Sequence, residues 1–358
     1  MNIFYNKHIF TPGPVKMYEE TLKLGAIQTP YFRNTEFSQI VLDCENNLLK
    51  IANAPNGSKV VFLTSSGTAA MEATVQNLLS QEDDAIIING GTFGQRFVDI
   101  CEIHNKKYRN FKVANDNLHD TTQLQEHKSA TTLLINAHET SIGLLYDLYS
   151  IGIFCKHNYI LNIVDAISMF VTDKLDMIEY NIDALIISSH KGLALPPGLS
   201  MVVLSPNAIK RINPVHQLYF DFNSYLDDGR RGQTPFTPAI TIILQLQARL
   251  QQIITTGIES EINIAKEMAY YFRDSIKKLA LTPYSQFMPN ALTALTPTDG
   301  KLASTIVKDL DEKYNVVVTP NGEILKDTVF RVAHMGAITK TYTDVLIDAL
   351  FDYYGEKR

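Results

Sequence analysis

The stretch Ala184-Leu-Ile-Ile-Ser-Ser-His190-Lys191-Gly192 joins a short apolar run to two serines, a histidine and a lysine. An apolar run of this length with polar residues on both sides predicts a buried strand. A lysine at the end of a buried strand costs free energy unless it is paired, solvated or chemically used. Burial lowers the pKa of an amine, and a neutral amine is the nucleophile that attacks an aldehyde. Lys191 is therefore either a solvated strand-end residue or a nucleophile, and the rest of the chain bears on that choice.

The composition is that of an ordinary soluble globular protein. The 358 residues are 45% hydrophobic and 20% charged, and the net charge of −6 argues against a nucleic-acid surface. The first ten residues lack the apolar core of a signal peptide, and apolar runs are too short to span a membrane. Cys44, Cys101 and Cys155 lie far apart, so neither disulfides nor a metal site are expected. We expect a cytoplasmic protein with no membrane or nucleic-acid partner.

A second strand leads into a loop suited to binding an anion. Val60-Val-Phe-Leu63 reads as a buried strand, followed by Thr64-Ser-Ser-Gly-Thr68 and a helical segment over Ala69–Leu79. The free N–H groups and the dipole at a helix N-terminus favour a negative charge. The same segment is equally ordinary as a helix N-cap without a ligand, so both interpretations stay open.

Three further strands end in polar or aromatic loops. Predicted strands at 85–88, 131–136 and 159–164 lead to Phe93, to Glu139-Thr-Ser141 and to Asp165 respectively. Strands that alternate with helices or loops indicate an α/β domain on a mostly parallel sheet, with ligands outside the carboxyl ends of the strands. These loops and Lys191 are therefore expected to meet at one edge of the sheet.

The second half of the chain predicts a domain boundary. A loop over 229–238 precedes a helical pattern from Ile240 to about Ile254, and Thr256-Gly257 indicates a break before another helix over 259–279. Short strands and helices then alternate. We predict an N-terminal arm over 1–15, a large domain over 16–256 and a smaller α+β domain over 257–358. Arg331 lies in a predicted strand, where it either binds a carboxylate, phosphate or phosphonate or forms an internal ion pair.

Together these segments resemble the class V aminotransferases, which are pyridoxal-phosphate enzymes of the aspartate aminotransferase fold, also called fold type I. The resemblance runs from Thr11-Pro-Gly-Pro-Val15 to Arg331-Val-Ala-His-Met-Gly336, and it is greatest for the branch of alanine–glyoxylate, serine–pyruvate and 2-aminoethylphosphonate–pyruvate aminotransferases. By that resemblance Lys191 would form a Schiff base with the cofactor and then act as general base. Asp165 would pair with the protonated pyridine nitrogen.

The resemblance also implies roles for other residues. The phosphate would bind at Ser66, Gly67 and Thr68, the ring would stack on Phe93, and Thr140 or Ser141 would contact the ring hydroxyl. Ser168 and His190 would line the cofactor site, although relatives often carry Gln before the lysine. Thr237 would reach the phosphate of a neighbouring subunit in a homodimer with a shared active site. The substrate would bind at Arg331, Gly13 and Arg33, with Arg331 on its acidic group.

Several alternatives remain at this stage. Arg33 is either a second anion contact or a surface ion-pair partner of Glu36. The leading function is transfer of an amino group from a small amino acid or aminophosphonate to a 2-oxo acid. A lyase, a decarboxylase, an aminotransferase for phospho- or sugar substrates in surface-polysaccharide synthesis, and a cofactor-free binding module are the alternatives. A cysteine desulfurase is disfavoured because its cysteine lies in a late loop, whereas Cys155 precedes Lys191.

Overall fold

The computed structural model describes residues 7–113 and 121–358, so the first six residues of the predicted N-terminal arm lie outside the described residues. The strands, in chain order, are β1 (His8–Ile9), β2 (Lys59–Leu63), β3 (Ala85–Asn89), β4 (Tyr108–Lys112), β5 (Thr132–Asn136), β6 (His138–Glu139), β7 (Leu144–Leu145), β8 (Leu161–Asp165), β9 (Ala184–Ser188), β10 (Ser200–Leu204), β11 (Leu281–Pro283), β12 (Leu292–Pro297), β13 (Val316–Val317), β14 (Thr319–Pro320) and β15 (Phe330–Ala333).

The helices, again in chain order, are α1 (Glu19–Gly25), α2 (Thr35–Ile51), α3 (Gly67–Leu78), α4 (Thr92–Ile103), α5 (Leu148–His157), α6 (Pro206–Lys210), α7 (Phe222–Gly229), α8 (Ile240–Thr256), α9 (Ile258–Ser275), α10 (Ala303–Tyr314) and α11 (Lys340–Tyr354). Two short 3₁₀ turns lie at Thr121–His127 and Glu323–Leu325.

A seven-stranded sheet forms the centre of the molecule, in the order β2-β10-β9-β8-β5-β3-β4. Only β10 runs antiparallel to its neighbours β2 and β9 in this sheet, whereas the other pairs are parallel. The carboxyl ends of β2, β3, β5, β8 and β9 therefore lie at one edge. This arrangement confirms the predicted α/β class with a mostly parallel sheet.

Hydrophobic side chains pack on both faces of the sheet because strand residues alternate in direction. In β2, Val60 and Phe62 face a core shared with α2, α5 and α8, while Val61 and Leu63 face the core shared with α3, α4 and α7. Helix α2 shows how the sequence produces this packing: its buried residues recur at intervals of three and four. The side chain of Asn34 caps its first turn by accepting from Phe37 N at 2.9 Å.

The C-terminal part of the chain has its own sheet and core. An antiparallel sheet in the order β11-β12-β15-β14 packs with α9, α10 and α11 around a third hydrophobic cluster. Phe10 joins this cluster, and β1 pairs in parallel with β13, so the arm lies against the C-terminal part. Gly257, with φ of +88°, separates α8 from α9. The boundaries at 15/16 and 256/257 stay predictions.

Several elements differ from the sequence expectations, among them α4, which begins at Thr92 where a loop through Phe93 was expected. Strand β4 was not predicted, because this edge strand is only half-buried and carries no apolar run. Helix α7 was not predicted either; its end at Gly229 runs into the loop that was expected to begin there. No helix in the two described ranges is long and apolar enough to cross a membrane.

Candidate active site

A cavity of about 150 Å³ opens at the carboxyl edge of the large sheet. It gathers residues from five separate loops, which is the meeting point that the sequence predicts. Its lining consists of Ser66, Gly67, Thr68, Phe93, Arg96, His138, Thr140, Asp165, Ile167, Ser168, His190 and Lys191. Nine of these twelve are residues that the sequence analysis singled out; Arg96, His138 and Ile167 are additions.

Lys191 lies just beyond β9 in close packing. A Cβ at Gly192 would come within 2.3 Å of the Phe170 carbonyl oxygen, so the backbone beside the lysine has no room for a side chain. A Cβ at Gly13 would lie 2.7 Å from Cε and Nζ of Lys191, which places the N-terminal arm against the amine. Burial lowers the pKa of Lys191 to about 8, with Arg331 and Arg96 acting in the same direction and the Asp165 carboxylate opposing them. A substantial neutral fraction near neutral pH makes this amine a nucleophile.

Asp165 is the last residue of β8, the strand next to β9. Its Oδ1 accepts a hydrogen bond from Ile167 N at 2.8 Å, which fixes the carboxyl group in the cavity wall. Burial raises the pKa of Asp165 to about 6, an effect reduced by the Ile167 N–H and by Lys191. The carboxylate is thus mostly ionised at neutral pH and is suited to a cationic partner.

The opposite end of the cavity suits an anion. Helix α3 begins at Gly67, and Ser66 Oγ accepts from Ala69 N at 3.4 Å, so the first turn of the helix points into the cavity lining. A Cβ at Gly67 would lie 2.4 Å from Ile167 Cδ1, so a larger residue here would require the Ile167 side chain to move. Arg96 donates to Thr68 Oγ1 at 3.1 Å and lies 4.7 Å from the Phe93 ring centroid. A guanidinium therefore adds positive charge at this end.

His190 and Ser168 complete the wall around the two ionisable groups. His190 Nδ1 lies 3.0 Å from Ser188 Oγ. Burial and the nearby Lys191 lower the pKa of His190 to about 4, so its imidazole is neutral and offers one N–H donor. Ser168 is buried in the same wall.

In the loop after β5, Glu139 and Ser141 form hydrogen bonds that hold the local backbone, whereas Thr140 lines the cavity. The Glu139 carboxylate accepts from Phe93 N at 3.2 Å and Gly94 N at 3.0 Å, which holds the first turn of α4. Ser141 donates to the same carboxylate and accepts from Thr92 N at 3.3 Å, so its hydroxyl is engaged within the loop. Thr140 lines the cavity. Of the two residues predicted to contact a ring hydroxyl, Thr140 is therefore the one in position.

Arg331 approaches the site from the C-terminal sheet. Its guanidinium donates to Pro320 O at 2.8 Å and to Thr140 O at 3.5 Å. Its Nε is buried with no hydrogen-bond partner in the described part of the chain. Burial lowers the pKa of Arg331, and the nearby Glu139 opposes that effect. A buried donor without a partner fits an acidic ligand group, since such a group would supply the missing acceptor.

Two predicted site residues lie elsewhere in the subunit. Arg33 donates to Thr234 O at 2.8 Å, to Gln233 Oε1 at 3.1 Å and to Pro235 O at 3.3 Å. Its hydrogen bonds within the described residues are thus to this loop, its guanidinium also lies 4.7 Å from the Phe32 ring centroid, and an ion pair with Glu36 is not among its contacts there. Thr237, two residues farther along, is exposed. Both residues remain predictions with respect to a site shared between subunits.

These residues fit pyridoxal phosphate. Its aldehyde requires a nucleophilic amine, its pyridine nitrogen a carboxylate, and its phosphate a cluster of N–H donors. Lys191, Asp165 and the Ser66–Thr68 turn supply these groups in one cavity. No group of three or more His, Cys, Asp or Glu side chains over 7–113 and 121–358 is placed to hold a metal ion.

Known proteins share this fold and much of the sequence. The profile named Aminotransferase class-V matches residues 25–323. An uncharacterized aminotransferase of Helicobacter pylori is 30% identical over 96% of this chain and 92% of its own length. Serine–glyoxylate aminotransferase of Arabidopsis thaliana is 26% identical over 93% of this chain and 86% of its own. The crystal structure of alanine–glyoxylate aminotransferase from Nostoc superimposes with a TM-score of 0.90 at 22% identity, covering 97% of this chain and 94% of that one.

Fold and cavity together define a pyridoxal-phosphate enzyme with the aspartate aminotransferase fold. The match to the family profile covers most of the sequence. The chain belongs to the class V aminotransferase family, and it is an aminotransferase that acts on an amino donor and an oxo-acid acceptor.

Proposed function

We propose that this aminotransferase moves an amino group from a small amino acid or aminophosphonate to a 2-oxo acid such as glyoxylate or pyruvate, through a Schiff base at Lys191. The observation that carries the proposal is the shared cavity of Lys191 and Asp165 beside the N-terminus of α3. The Arabidopsis relative is named for serine and glyoxylate, which supports a small donor and a small acceptor.

Bound pyridoxal phosphate supplies an aldehyde for amines and a pyridine ring that withdraws electrons from the substrate Cα. Lys191 provides the amine, and a pKa of about 8 lets its Nζ both release and take up a proton at neutral pH. Asp165 would hold the ring nitrogen of a bound cofactor in its protonated form, because a buried carboxylate stabilises a neighbouring positive charge. Lys191 and Asp165 therefore have separate roles, one in proton transfer and one in electron withdrawal.

The other wall residues orient the reactants. Ser66, Gly67, Thr68 and His190 would hold the phosphate, with Ser168 beside them and Phe93 stacked on the ring. Arg331 would bind the acidic group of the substrate through its unpartnered Nε.

Gly13 leaves room for the Lys191 side chain and would contact the substrate beside it. Thr140 would contact the ring hydroxyl; Ser141 would act through its bond to Glu139.

A homodimer with a shared site is part of the same proposal. Thr237 is exposed, and its loop is bordered by exposed apolar side chains: Tyr31, next to Phe32, is 68% exposed, and Leu218, next to Tyr219, is 80% exposed. Phe32 O accepts from Gln233 in this loop, and Tyr219 stacks on Phe236 within it. Apolar surface around a polar loop fits burial against a second copy, with Thr237 and Arg33 near the partner's phosphate site.

Mixing variants tests the shared site. Lys191→Ala lacks the amine, and Thr237→Ala lacks the residue supplied to the partner. If each site uses Lys191 of one subunit and Thr237 of the other, a mixed dimer contains one intact site and regains activity. Absence of such recovery in a dimer that does exchange subunits would refute the shared site.

We also propose a cytoplasmic location, supported by three buried free thiols, Cys44, Cys101 and Cys155.

The visible absorption spectrum of the purified protein tests the central proposal. We expect a yellow band that one member of a donor panel bleaches, and the panel contains alanine, serine, aspartate, glutamate, phosphoserine and 2-aminoethylphosphonate. Lys191→Ala should keep the fold and lose turnover, whereas Lys174→Ala, at an exposed lysine paired with Glu179, should leave both unchanged. Undiminished turnover in Lys191→Ala would contradict the assignment. A band that no donor bleaches would favour a lyase, a decarboxylase or a larger phospho- or sugar substrate.

Replacement of Arg331 tests the substrate class. Arg331→Ala should raise KM for acidic substrates on the order of tenfold or more, because it removes a charged hydrogen-bond partner. Arg331→Lys keeps the charge without the bidentate geometry, so its KM for acidic substrates should fall between those of the unmodified protein and Arg331→Ala. Unchanged KM for every acidic candidate would make Arg331 a structural residue that braces Pro320 and Thr140.

A further inference from the structure

His138 is a buried histidine in the active-site wall. It follows β5 in β6, lines the cavity and is 2% exposed. Neither Nδ1 nor Nε2 has a hydrogen-bond partner within the described ranges. Buried polar atoms in native proteins are nearly always satisfied, so an imidazole with two unpartnered nitrogens in a ligand cavity points to a partner supplied by the ligand.

Asp173 holds this imidazole from one side. His138 Nε2 lies 3.4 Å from Asp173 Oδ2, which is ion-pair distance without the geometry of a hydrogen bond. The Asp173 carboxylate is itself fixed, because it accepts from Asn290 N at 3.1 Å and from Thr172 Oγ1 at 3.2 Å. Arg273 also contributes an electrostatic attraction to Asp173. The carboxylate thus has other partners, whereas Nδ1 of the histidine has none.

The sheet order indicates which part of the cofactor faces His138. In the order β2-β10-β9-β8-β5, the phosphate turn follows β2, Lys191 follows β9, Asp165 ends β8 and His138 follows β5. On the pyridoxal ring, the phosphate arm and the phenolic oxygen lie on opposite sides of the line from the ring nitrogen to the aldehyde. With the nitrogen at Asp165 and the aldehyde at Lys191, a phosphate on the β2 side directs the phenolic oxygen towards β5.

We propose that His138, positioned by Asp173, donates a hydrogen bond to the phenolic oxygen of the bound cofactor. This inference rests on the proposed placement of the phosphate at Ser66–Thr68 and of the ring nitrogen at Asp165. For Nδ1 to donate while Nε2 faces the Asp173 carboxylate, both ring nitrogens carry a proton, so His138 contacts the oxygen as an imidazolium paired with Asp173. A donor at this oxygen stabilises its ionised form, so His138 tunes the electronic state of the ring next to the Lys191 amine.

The alternative is that His138 is only a structural partner of Asp173. Two observations oppose it: the pair lacks hydrogen-bond geometry, and a purely structural imidazole would leave both nitrogens unsatisfied in the cavity wall. The two roles differ in what they predict for a ligand that lacks the phenolic oxygen. A structural role affects every ligand alike, whereas a direct contact affects only the ligand that carries the oxygen.

The experiment therefore compares two ligands without an aldehyde, so that Lys191 does not react. One is 4-deoxypyridoxine 5′-phosphate, and the other is the same ring without its 3-hydroxyl group; binding to cofactor-free protein is measured by calorimetry. The unmodified protein should prefer the hydroxylated ring on the order of tenfold, as expected for a charged hydrogen bond. His138→Ala should lose most of that preference, with any remainder due to Thr140, and bind the ring without the hydroxyl group as before. His138→Gln, which keeps a donor, should retain most of it.

Two further variants complete the test. His190→Ala, at the phosphate end of the same cavity, should weaken both ligands equally and leave the preference unchanged. Asp173→Asn still accepts from Asn290 N but has no charge, and it should reduce the preference without removing it. Equal weakening of both ligands in His138→Ala, or no preference in the unmodified protein, would overturn the inference about His138 alone. Failure of the unmodified protein to bind either ligand would overturn the proposed cofactor placement together with it.

Discussion

The reactivity of Lys191 can be followed through the rate at which cofactor-free protein takes up pyridoxal phosphate. A pKa lowered from 10.5 to about 8 means that the surroundings of Lys191 destabilise its ammonium form by roughly 3 kcal/mol relative to the neutral amine. About one amine in ten is then neutral at pH 7, against about one in three thousand for an ordinary lysine. Only the neutral amine attacks the aldehyde, so the environment raises the reactive population on the order of three-hundredfold.

The pH dependence of the cofactor-uptake rate shows whether the pKa of Lys191 is lowered or raised. Because the pKa of Lys191 is lowered, the rate should rise about tenfold per pH unit below pH 8 and level off above it. Nα-acetyl-lysine with the same aldehyde is the control, and its rate should keep rising through pH 10. Stopped-flow absorbance of the developing visible band measures both.

Asp165→Asn extends the same experiment. The Asp165 carboxylate raises the pKa of Lys191, so its neutralisation should move the bend in the profile to lower pH, even if the isosteric amide binds the cofactor less tightly. A bend near pH 10 in the unmodified protein would refute the reasoning about burial. A bend that moves upward in Asp165→Asn would refute the pairing of the two groups.

Two other replacements separate activity from stability. Gly13→Ala should lower kcat tenfold or more, because its Cβ would lie 2.7 Å from Nζ of Lys191 and displace the amine. Gly300→Ala is the control, since Gly300 also has a positive φ but has open space around it. Equal activity in the two variants, measured with the same donor, would show that Lys191 tolerates the displacement. Arg249→Met should lower the free energy of unfolding by about 3–5 kcal/mol, because it leaves Glu261 buried without its partner. Urea unfolding measures this loss, and recovery in Arg249→Met/Glu261→Leu would confirm its cause; an unchanged midpoint in the single variant would contradict it.

The sequence predicts most of the sheet because its strands are short apolar runs closed by polar turns. The runs that end at Leu63, Asn136 and Ser188 form strands as expected. Strand β4 was missed, because an edge strand is buried on fewer sides and needs fewer apolar residues. The antiparallel direction of β10 could not be read from its residues either, since a buried run has the same composition in both directions.

The candidate site likewise contains some residues that could be found from the sequence and others that could not. Lys191 and Asp165 could be found from sequence because Asp165 ends a buried strand and Lys191 follows one by three residues, where a charged residue stands out. Arg96, in α4, and His138, in β6, are single polar residues without a local pattern, and only the three-dimensional arrangement brings them to the cavity. Arg33 was predicted as an anion contact or an ion-pair partner of Glu36, but its contacts with Thr234 and its neighbours lie two hundred residues away in sequence, beyond any local pattern.

The pairing of β1 with β13 has a consequence for biosynthesis. His8 meets Val316, so the partners are separated by about three hundred residues of chain. At a translation rate of roughly 5–20 residues per second, the start of the chain waits on the order of 15–60 s for its docking strand. Gly13 follows β1 by four residues, so its contact with Lys191 is expected to form after that docking. The arm therefore reaches Lys191 late in synthesis, after the residues that line the cavity, Ser66 to Lys191, have been made.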